Sequence, residues 1–268
     1  MNKIEVRNLH FAYENNEEIL KGIDVTFDHR STAIIGQNGA GKTTFVKLLK
    51  GLLKPTEGEV IINGINTKDT TVAGLAKHIG LVFQNPNDQI FKNKVIEEVL
   101  FGPLHIGQAP EKANQMAIDA LKLVGLYEKA EENPYDLSLS ERKLISIASI
   151  IAMDTQIVIF DEPTIAQDYV GKEKIKHIIK ELSSKGKLVL TIIHDMDFVA
   201  ETFERTIVLA KGKVLLDGTT RQVYAHSEML KEAYLEPPHV TQLCQRLGES
   251  ETFLTVEEYI KYKKDVLS

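Results

Sequence analysis

The chain has one cysteine, no tryptophan and no long apolar run among its 268 residues. Each shortage removes a class of protein. A single thiol, Cys244, leaves no intrachain disulfide and no cysteine-only metal cluster; it reads as a small apolar packing group in a reducing compartment. The strongest apolar stretches, Leu144 to Met153 and Leu188 to Ile193, fall well short of the roughly 18–20 residues a bilayer-spanning helix needs. The chain opens Met1-Asn2-Lys3-Ile4-Glu5-Val6, with no signal-peptide pattern ahead of its first strand. A soluble chain is expected, held at a membrane only through another chain. Positive charge is also short: the net charge is −6, against the basic footprint of a nucleic-acid binder. There is no internal repeat and no low-complexity segment.

What is present starts with Gly36-Gln37-Asn38-Gly39-Ala40-Gly41-Lys42-Thr43. Two glycines bracketing four residues, then Lys-Thr, make the phosphate-loop pattern. Thr32 to Ile35 before it is a short apolar strand, and Thr44 to Leu49 after it has helical spacing, the context this motif requires. Glycine lets successive backbone N–H groups turn inward toward phosphate oxygens, and the following helix N-terminus adds its positive dipole end. Asn38, Gly39, Ala40, Gly41, Lys42, Thr43 and Thr44 are therefore nucleotide-binding candidates. Lys42 reaches toward the β- and γ-phosphates, and the Thr43 hydroxyl is a Mg²⁺ ligand. Tyr13, upstream, is a candidate to stack on a purine.

The rest of the pattern is α/β. Lys3 to Leu9 and Ile23 to Phe27 read as antiparallel strands separated by a polar turn over Glu14 to Glu18. Pro55 to Gly58 reads as a turn, and Asn63-Gly64 as a hairpin signal. Ile79 to Phe83, Thr155 to Phe160 and Leu188 to Ile193 read as core strands. Val95 to about Met153 is mostly helical, including a helix over Lys112 to Val124 closed by Gly125. Further helices are expected over Lys172 to Ser183 and Phe198 to Phe203, then a hairpin over Lys211-Gly212. A charged helical tail begins near Thr219 and is broken at Glu236-Pro237-Pro238.

The core strands end in polar residues, on the side where open α/β sheets bind ligands. Asp161 closes a run of four apolar residues and is a Mg²⁺ ligand candidate. Glu162 beside it can polarise an attacking water. Gln84 can hold metal or water through its amide oxygen, and His194 can hydrogen-bond a γ-phosphate or that water.

The order Tyr13, Gly36 to Thr43, Gln84, Asp161-Glu162-Pro163-Thr164, Asp168, His194 resembles the nucleotide-binding subunit of ATP-binding-cassette (ABC) transporters over about residues 1 to 220. Val82-Phe83-Gln84-Asn85-Pro86-Asn87-Asp88-Gln89-Ile90-Phe91 and the tail segment Leu235 to Leu243 are similar to the ATPases of energy-coupling-factor (ECF) importers, including those for cobalt and nickel. The resemblance implies an α/β phosphate-loop NTPase fold of the ABC-ATPase type: a RecA-like core, an antiparallel β subdomain, a helical subdomain at about 88–155, and a helical C-terminal extension at 221–268 that is a candidate dimerisation element. It further implies ATP and Mg²⁺ as cofactors, head-to-tail pairing with a second ATPase, and coupling to an integral membrane subunit. Direct substrate contact and nucleic acid are not expected. The location implied is peripheral, on the cytoplasmic face of the cell membrane. Vitamins or transition-metal ions are the substrates implied.

Two stretches depart from the family pattern. Its signature reads Leu-Ser-Gly-Gly-Gln, and the matching Leu137-Ser138-Leu139-Ser140-Glu141 keeps the serine but loses both glycines and the glutamine. Ser138 with Glu141 also fits a helix capping box. Leu139 and Ser140 add side chains where a phosphate of the partner's nucleotide would approach. Glu141, if it faces that phosphate, repels it, with Arg142 and Lys143 as partial offsets. The interface loop Ile165-Ala166-Gln167-Asp168 keeps Asp168, but not the usual small residue at 165 or the apolar one at 167. The expectation is an ATPase pairing with a non-identical subunit whose own signature is sound. Two further readings stand beside it: a soluble ABC ATPase outside transport, and a regulatory nucleotide-binding module with little hydrolysis. Neither coiled-coil insertions nor zinc modules favour the first. The altered signature favours the second, and the Asp161-Glu162 and His194 set opposes it.

Overall fold

The computed structural model describes residues 3–14 and 17–267. Asn15 and Asn16, within the expected polar turn, lie outside them, as do the first two residues and Ser268. In chain order the elements are β1 (Ile4–Ala12), β2 (Glu18–Phe27), β3 (Thr32–Ile35), α1 (Lys42–Leu49), β4 (Glu57–Ile62), β5 (Ile65–Asn66), α2 (Val72–Leu75) and β6 (Ile79–Val82). Then come α3 (Val95–His105), α4 (Pro110–Val124), α5 (Leu139–Ala152), β7 (Ile157–Asp161), α6 (Tyr169–Ser184), β8 (Leu188–Ile192), α7 (Met196–Thr202), β9 (Arg205–Ala210) and β10 (Lys213–Thr219). The tail forms α8 (Thr220–Ala225), α9 (Ser227–Glu232), α10 (His239–Arg246) and α11 (Val256–Leu267). No helix among the described residues is long and apolar enough to cross a membrane.

The strands form two sheets. One is antiparallel, in the order β2-β1-β4-β5; the other runs β10-β9-β3-β8-β7-β6, with its inner strands parallel. The parallel strands alternate between two cores. Ile157, Ile159, Leu188, Leu190 and Ile192 face the antiparallel sheet and α1, while Val158, Phe160 and Val189 face the helices. Burial on both faces is why these strands read as unbroken apolar runs.

Several expected boundaries move. β1 runs on to Ala12, and Glu57 and Gly58 belong to β4 rather than to a turn. A bulge hides both facts: Asn8 has φ 44°, the β1–β4 register slips between Arg7 and His10, and a Cβ on Gly58 would lie 2.0 Å from the Asn8 carbonyl oxygen. β2 starts at Glu18, five residues before the expected Ile23, because the adjacent Ile19-Leu20 pair and Gly22, at φ 72°, break the alternation. α6 starts at Tyr169 rather than Lys172 because the Asp168 carboxylate accepts the Gly171 N–H at 2.8 Å. α4 ends at Gly125 with φ 72°, as its sequence indicates. Cys244 is buried with Val240 and Phe253 in a small tail core.

One side chain staples the two sheets. Arg205 on β9 is 5% exposed. Its guanidinium donates to the Thr26 carbonyl on β2 at 2.7 Å and to both Asp217 oxygens at 2.7 and 2.6 Å, and lies 5.7 Å from the Phe27 ring centroid. Arg205→Met keeps the stem but strands these acceptors. Because Asp217 is partly solvated, the expected loss is about 2–3 kcal/mol in urea unfolding; an unchanged midpoint would assign the stapling elsewhere.

Candidate functional site

The phosphate loop joins β3 to α1. A Cβ on Gly36 would meet the Leu209 carbonyl oxygen at 2.3 Å, and one on Gly41, where φ is 97°, would meet Leu20 Cδ2 at 2.6 Å, so both positions need glycine. Lys42 is buried and donates to the carbonyls of Gly36 at 2.7 Å and Gln37 at 3.0 Å. Burial pulls its pKa down, while the charges of Glu162 and Asp161 act the other way. The Ala40 methyl is buried and its N–H is taken by the Gln37 carbonyl at 3.2 Å. Tyr13 packs edge-on against Phe11 with centroids 4.8 Å apart, and its hydroxyl sits 3.3 Å from Thr44 Oγ1. A cavity of about 430 Å³ is lined by Asn38, Gly39, Gly41, Lys42, Thr43 and Thr44, together with Gln84 and Glu162.

The strand ends converge on that cavity. Glu162 has φ 46°, held by its N–H bond to the Ile192 carbonyl at 3.0 Å. Its carboxylate is clamped: Gln84 Nε2 donates to Oε2 at 3.1 Å, and His194 Nε2 lies 3.0 Å from Oε1. With its nitrogen on Glu162, the Gln84 amide leaves its oxygen free to face a cation or water. Asp161 is 3% exposed, and its Oδ1 has no hydrogen-bond partner among the described residues. Burial and the neighbouring Glu162 charge push its pKa up to about 6, against the pull of Lys143, Thr43 and Lys42. A buried carboxylate oxygen left without a donor, beside the Thr43 hydroxyl, suits a hard divalent cation such as Mg²⁺.

The altered signature is turned in on itself. Ser138 caps α5: its Oγ accepts the Glu141 N–H at 3.2 Å, while the Glu141 carboxylate accepts the Ser138 N–H at 3.0 Å and hydroxyl at 2.8 Å. Lys129 donates to the other Glu141 oxygen at 2.6 Å. The Lys129 bond, with those from Ser138, takes the Glu141 pKa down to about 2. Glu141 is expected from the sequence to repel a phosphate if it faces one; in the structure its charge is offset by Lys129 and its carboxylate is engaged by the cap. Arg142 reaches Asn87 Oδ1 at 2.9 Å, and Lys143 points into the protein, so neither serves as the expected offset.

The second departure answers the first. Ser140 Oγ donates to Gln167 Oε1 at 2.9 Å, and Gln167 Nε2 donates to the Ser140 carbonyl at 3.1 Å. Gly171 leaves room for that amide, since a Cβ there would fall 2.3 Å from Gln167 Oε1. The two unusual stretches thus form one paired unit, with Leu139, Ile165, Tyr169 and Val170 exposed around it.

A family model described as "ABC transporter" matches residues 20–165. The chain belongs to the ABC transporter family. The energy-coupling factor transporter ATP-binding protein EcfA1 of Clostridioides difficile is 37% identical over 271 residues, covering 97% of both chains. The structure of cbiO1 from Clostridium perfringens, described as part of the ABC transporter complex cbiONQ, superposes with a TM-score of 0.76 at 28% identity, over 90% of this chain and 98% of that one. An ATP-binding cassette solved as a post-hydrolysis dimer bound to ADP and Pi gives 0.74 at 30% identity, over 81% and 99%. This ABC protein is an ATP-binding subunit of the ATPase class, with the mixed parallel and antiparallel architecture of those cassettes.

The sequence reading missed Lys143 as a site element. It is 1% exposed, and burial lowers its pKa to about 8. The available signal was its place one turn before Ile147, in the apolar row of an otherwise amphipathic helix.

Asp161 makes a pH prediction. A carboxyl that holds its proton more tightly folded than unfolded contributes stability below about pH 4, and that contribution is lost as the pH rises through about 6. Asp161→Asn should therefore stabilise the nucleotide-free chain at pH 7 by about 2–3 kcal/mol and flatten the decline between pH 4 and 6. Urea unfolding across that range checks it.

Proposed function

We propose that this ABC protein hydrolyses ATP with Mg²⁺ to energise an ECF-type membrane importer, as one half of an asymmetric heterodimer on the cytoplasmic face of the membrane. A vitamin or a transition-metal ion is the cargo class, carried by the membrane partners without contact to this chain. The geometry of the site supports the following cofactor roles. The Asn38 to Thr44 loop and Lys42 hold the phosphates, with Tyr13 at the base. Thr43, Gln84 and Asp161 would hold Mg²⁺, which when bound would neutralise charge developing on the phosphates. Glu162 accepts a proton from the attacking water, and Gln84 and His194 orient Glu162 and the γ-phosphate. Asp168 belongs to the loop facing the partner, and the Ser138, Leu139, Ser140 and Glu141 turn lies on the side of the partner's nucleotide, with the Glu141 carboxylate drawn back to Ser138 and Lys129. Residues 1–220 act as the cassette, and 221–268 contribute to pairing.

The observation that carries the asymmetry is the contrast between the two halves. The site of this chain presents a buried carboxylate oxygen without a donor and a clamped Glu162. Its signature presents Leu139 and a Ser140 already engaged by Gln167. Leu139 and Ser140 put side chains where glycine would let backbone N–H groups close on a phosphate, so the partner's nucleotide gains little from this side. On this reading, a cavity of about 270 Å³ between α3 and α5, lined by Phe91, Phe101, Ile106, Ile150 and Met153, is the place for a helix of the membrane subunit.

In a reconstituted pair, Glu162→Gln here should lower turnover by about 10²-fold or more. The corresponding change in the partner should cost far less. Equal losses would overturn the asymmetry; full turnover with Glu162→Gln would overturn its role as base.

A further inference from the structure

Lys143 is 1% exposed, deeper than Lys42 at 6%, and forms no ion pair among the described residues. Its ammonium donates to three backbone carbonyls, those of Phe83 at 2.7 Å, Gln84 at 2.9 Å and Asp161 at 3.1 Å. An ammonium has three N–H donors, so the set is complete. The acceptors come from two strands, since Phe83 and Gln84 follow β6 while Asp161 ends β7. The lysine itself comes from α5, whose N-terminus is the altered signature.

The strand ladder does not do this work alone. β6 pairs with β7 only as far as Val82 with Phe160, so beyond that point the two ends can diverge. Lys143 bridges them where the ladder stops. The other restraints are side-chain contacts: Gln89 Oε1 accepts the Phe83 N–H at 3.1 Å, and the Gln84 amide reaches Glu162. An apolar side chain in place of Lys143 removes the donor from three carbonyls, of which the Asp161 bond is fully buried.

We propose that Lys143 is a positioning residue that sets the spacing of Gln84 and Asp161 for Mg²⁺, and so ties the signature helix to this chain's own metal site. The inference rests on the reading of Gln84 and Asp161 as Mg²⁺ ligands. It concerns the cation and not the phosphate grip: Lys42 and the Gly36 to Thr44 loop make no hydrogen bond to Lys143 among the described residues. Outer groups that orient metal ligands contribute about 10–100-fold to metal affinity.

The isolated chain suffices for the test, which needs no turnover and no partner. The chain has no tryptophan, so a fluorescent ADP analogue reports without interference from that source. Its affinity is measured in EDTA, and Mg²⁺ is then titrated into the complex. Lys143→Met should leave the EDTA affinity within about twofold and raise the Mg²⁺ concentration for half-saturation by about tenfold. Lys187→Met is the control for losing a buried lysine: Lys187 bonds Asp154 at 2.8 Å and the Thr155 carbonyl at 2.7 Å, at the opposite strand ends. It should lower the melting temperature and leave the Mg²⁺ titration unchanged. If Lys143→Met does not fold, Lys143→Gln, polar but too short for all three carbonyls, is read the same way. A folded Lys143 variant with the wild-type Mg²⁺ curve overturns the proposal, as does an equal shift in Lys187→Met. A wild-type chain whose ADP affinity ignores Mg²⁺ overturns the ligand reading beneath it.

Discussion

The site depends on taking one carboxylate out of water. β7 is buried on both faces, so the residue that ends it, Asp161, emerges already desolvated. Ionising it there is unfavourable, and the shift of its pKa to about 6 expresses that cost. Two buried lysines and the Thr43 hydroxyl offset part of it, but Oδ1 has no donor among the described residues. Neither lysine is matched by a direct carboxylate contact: Lys42 and Lys143 both rest on backbone carbonyls. The result is a set of separated charges of both signs, each incompletely compensated. On the proposed reading, a polyphosphate and a divalent cation are the groups that would complete the compensation.

The clamped Glu162 follows from the same geometry. Its left-handed backbone, uncommon for a residue with a side chain, turns the carboxylate away from the direction of β7 and back across the sheet edge. There it meets groups from the two flanking strands, Gln84 after β6 and His194 after β8. A parallel sheet makes this possible because the strands all end at one edge. The carboxylate is held on both oxygens, so its orientation is fixed before any ligand arrives.

Much of this could be read from the sequence, because the signals are local. The phosphate loop is a contiguous pattern with its strand and helix beside it, and Asp161-Glu162 sits after an apolar run. Gln84 and His194 are less obvious singly, and became legible only through their shared position after core strands. What escaped depends on contacts across long separations. Nothing near Gly58 announces that the Asn8 backbone lies against it. Lys143 looked like one charge among several on a helix start, because its three acceptors lie about 18 to 60 residues away along the chain. The direction of Glu141 turned on Lys129, a residue outside the signature.

The pairing of Ser140 with Gln167 changes how the altered signature should be understood. A signature that had merely decayed would leave its polar groups facing solvent and its neighbours unaltered. Here the residue that departs from the pattern at 140 bonds in both directions to the one that departs at 167, and Gly171 leaves the space their bond requires. Glu141 is likewise absorbed, into a capping box and an ion pair. The side chains of the helix start are therefore held by partners within this chain. A surface whose side-chain hydrogen bonds are already closed and whose glycines are replaced gives a phosphate poor access, yet it remains well formed for packing against protein. That combination favours a subunit that keeps the shape of a two-sided assembly while delivering catalysis from one side.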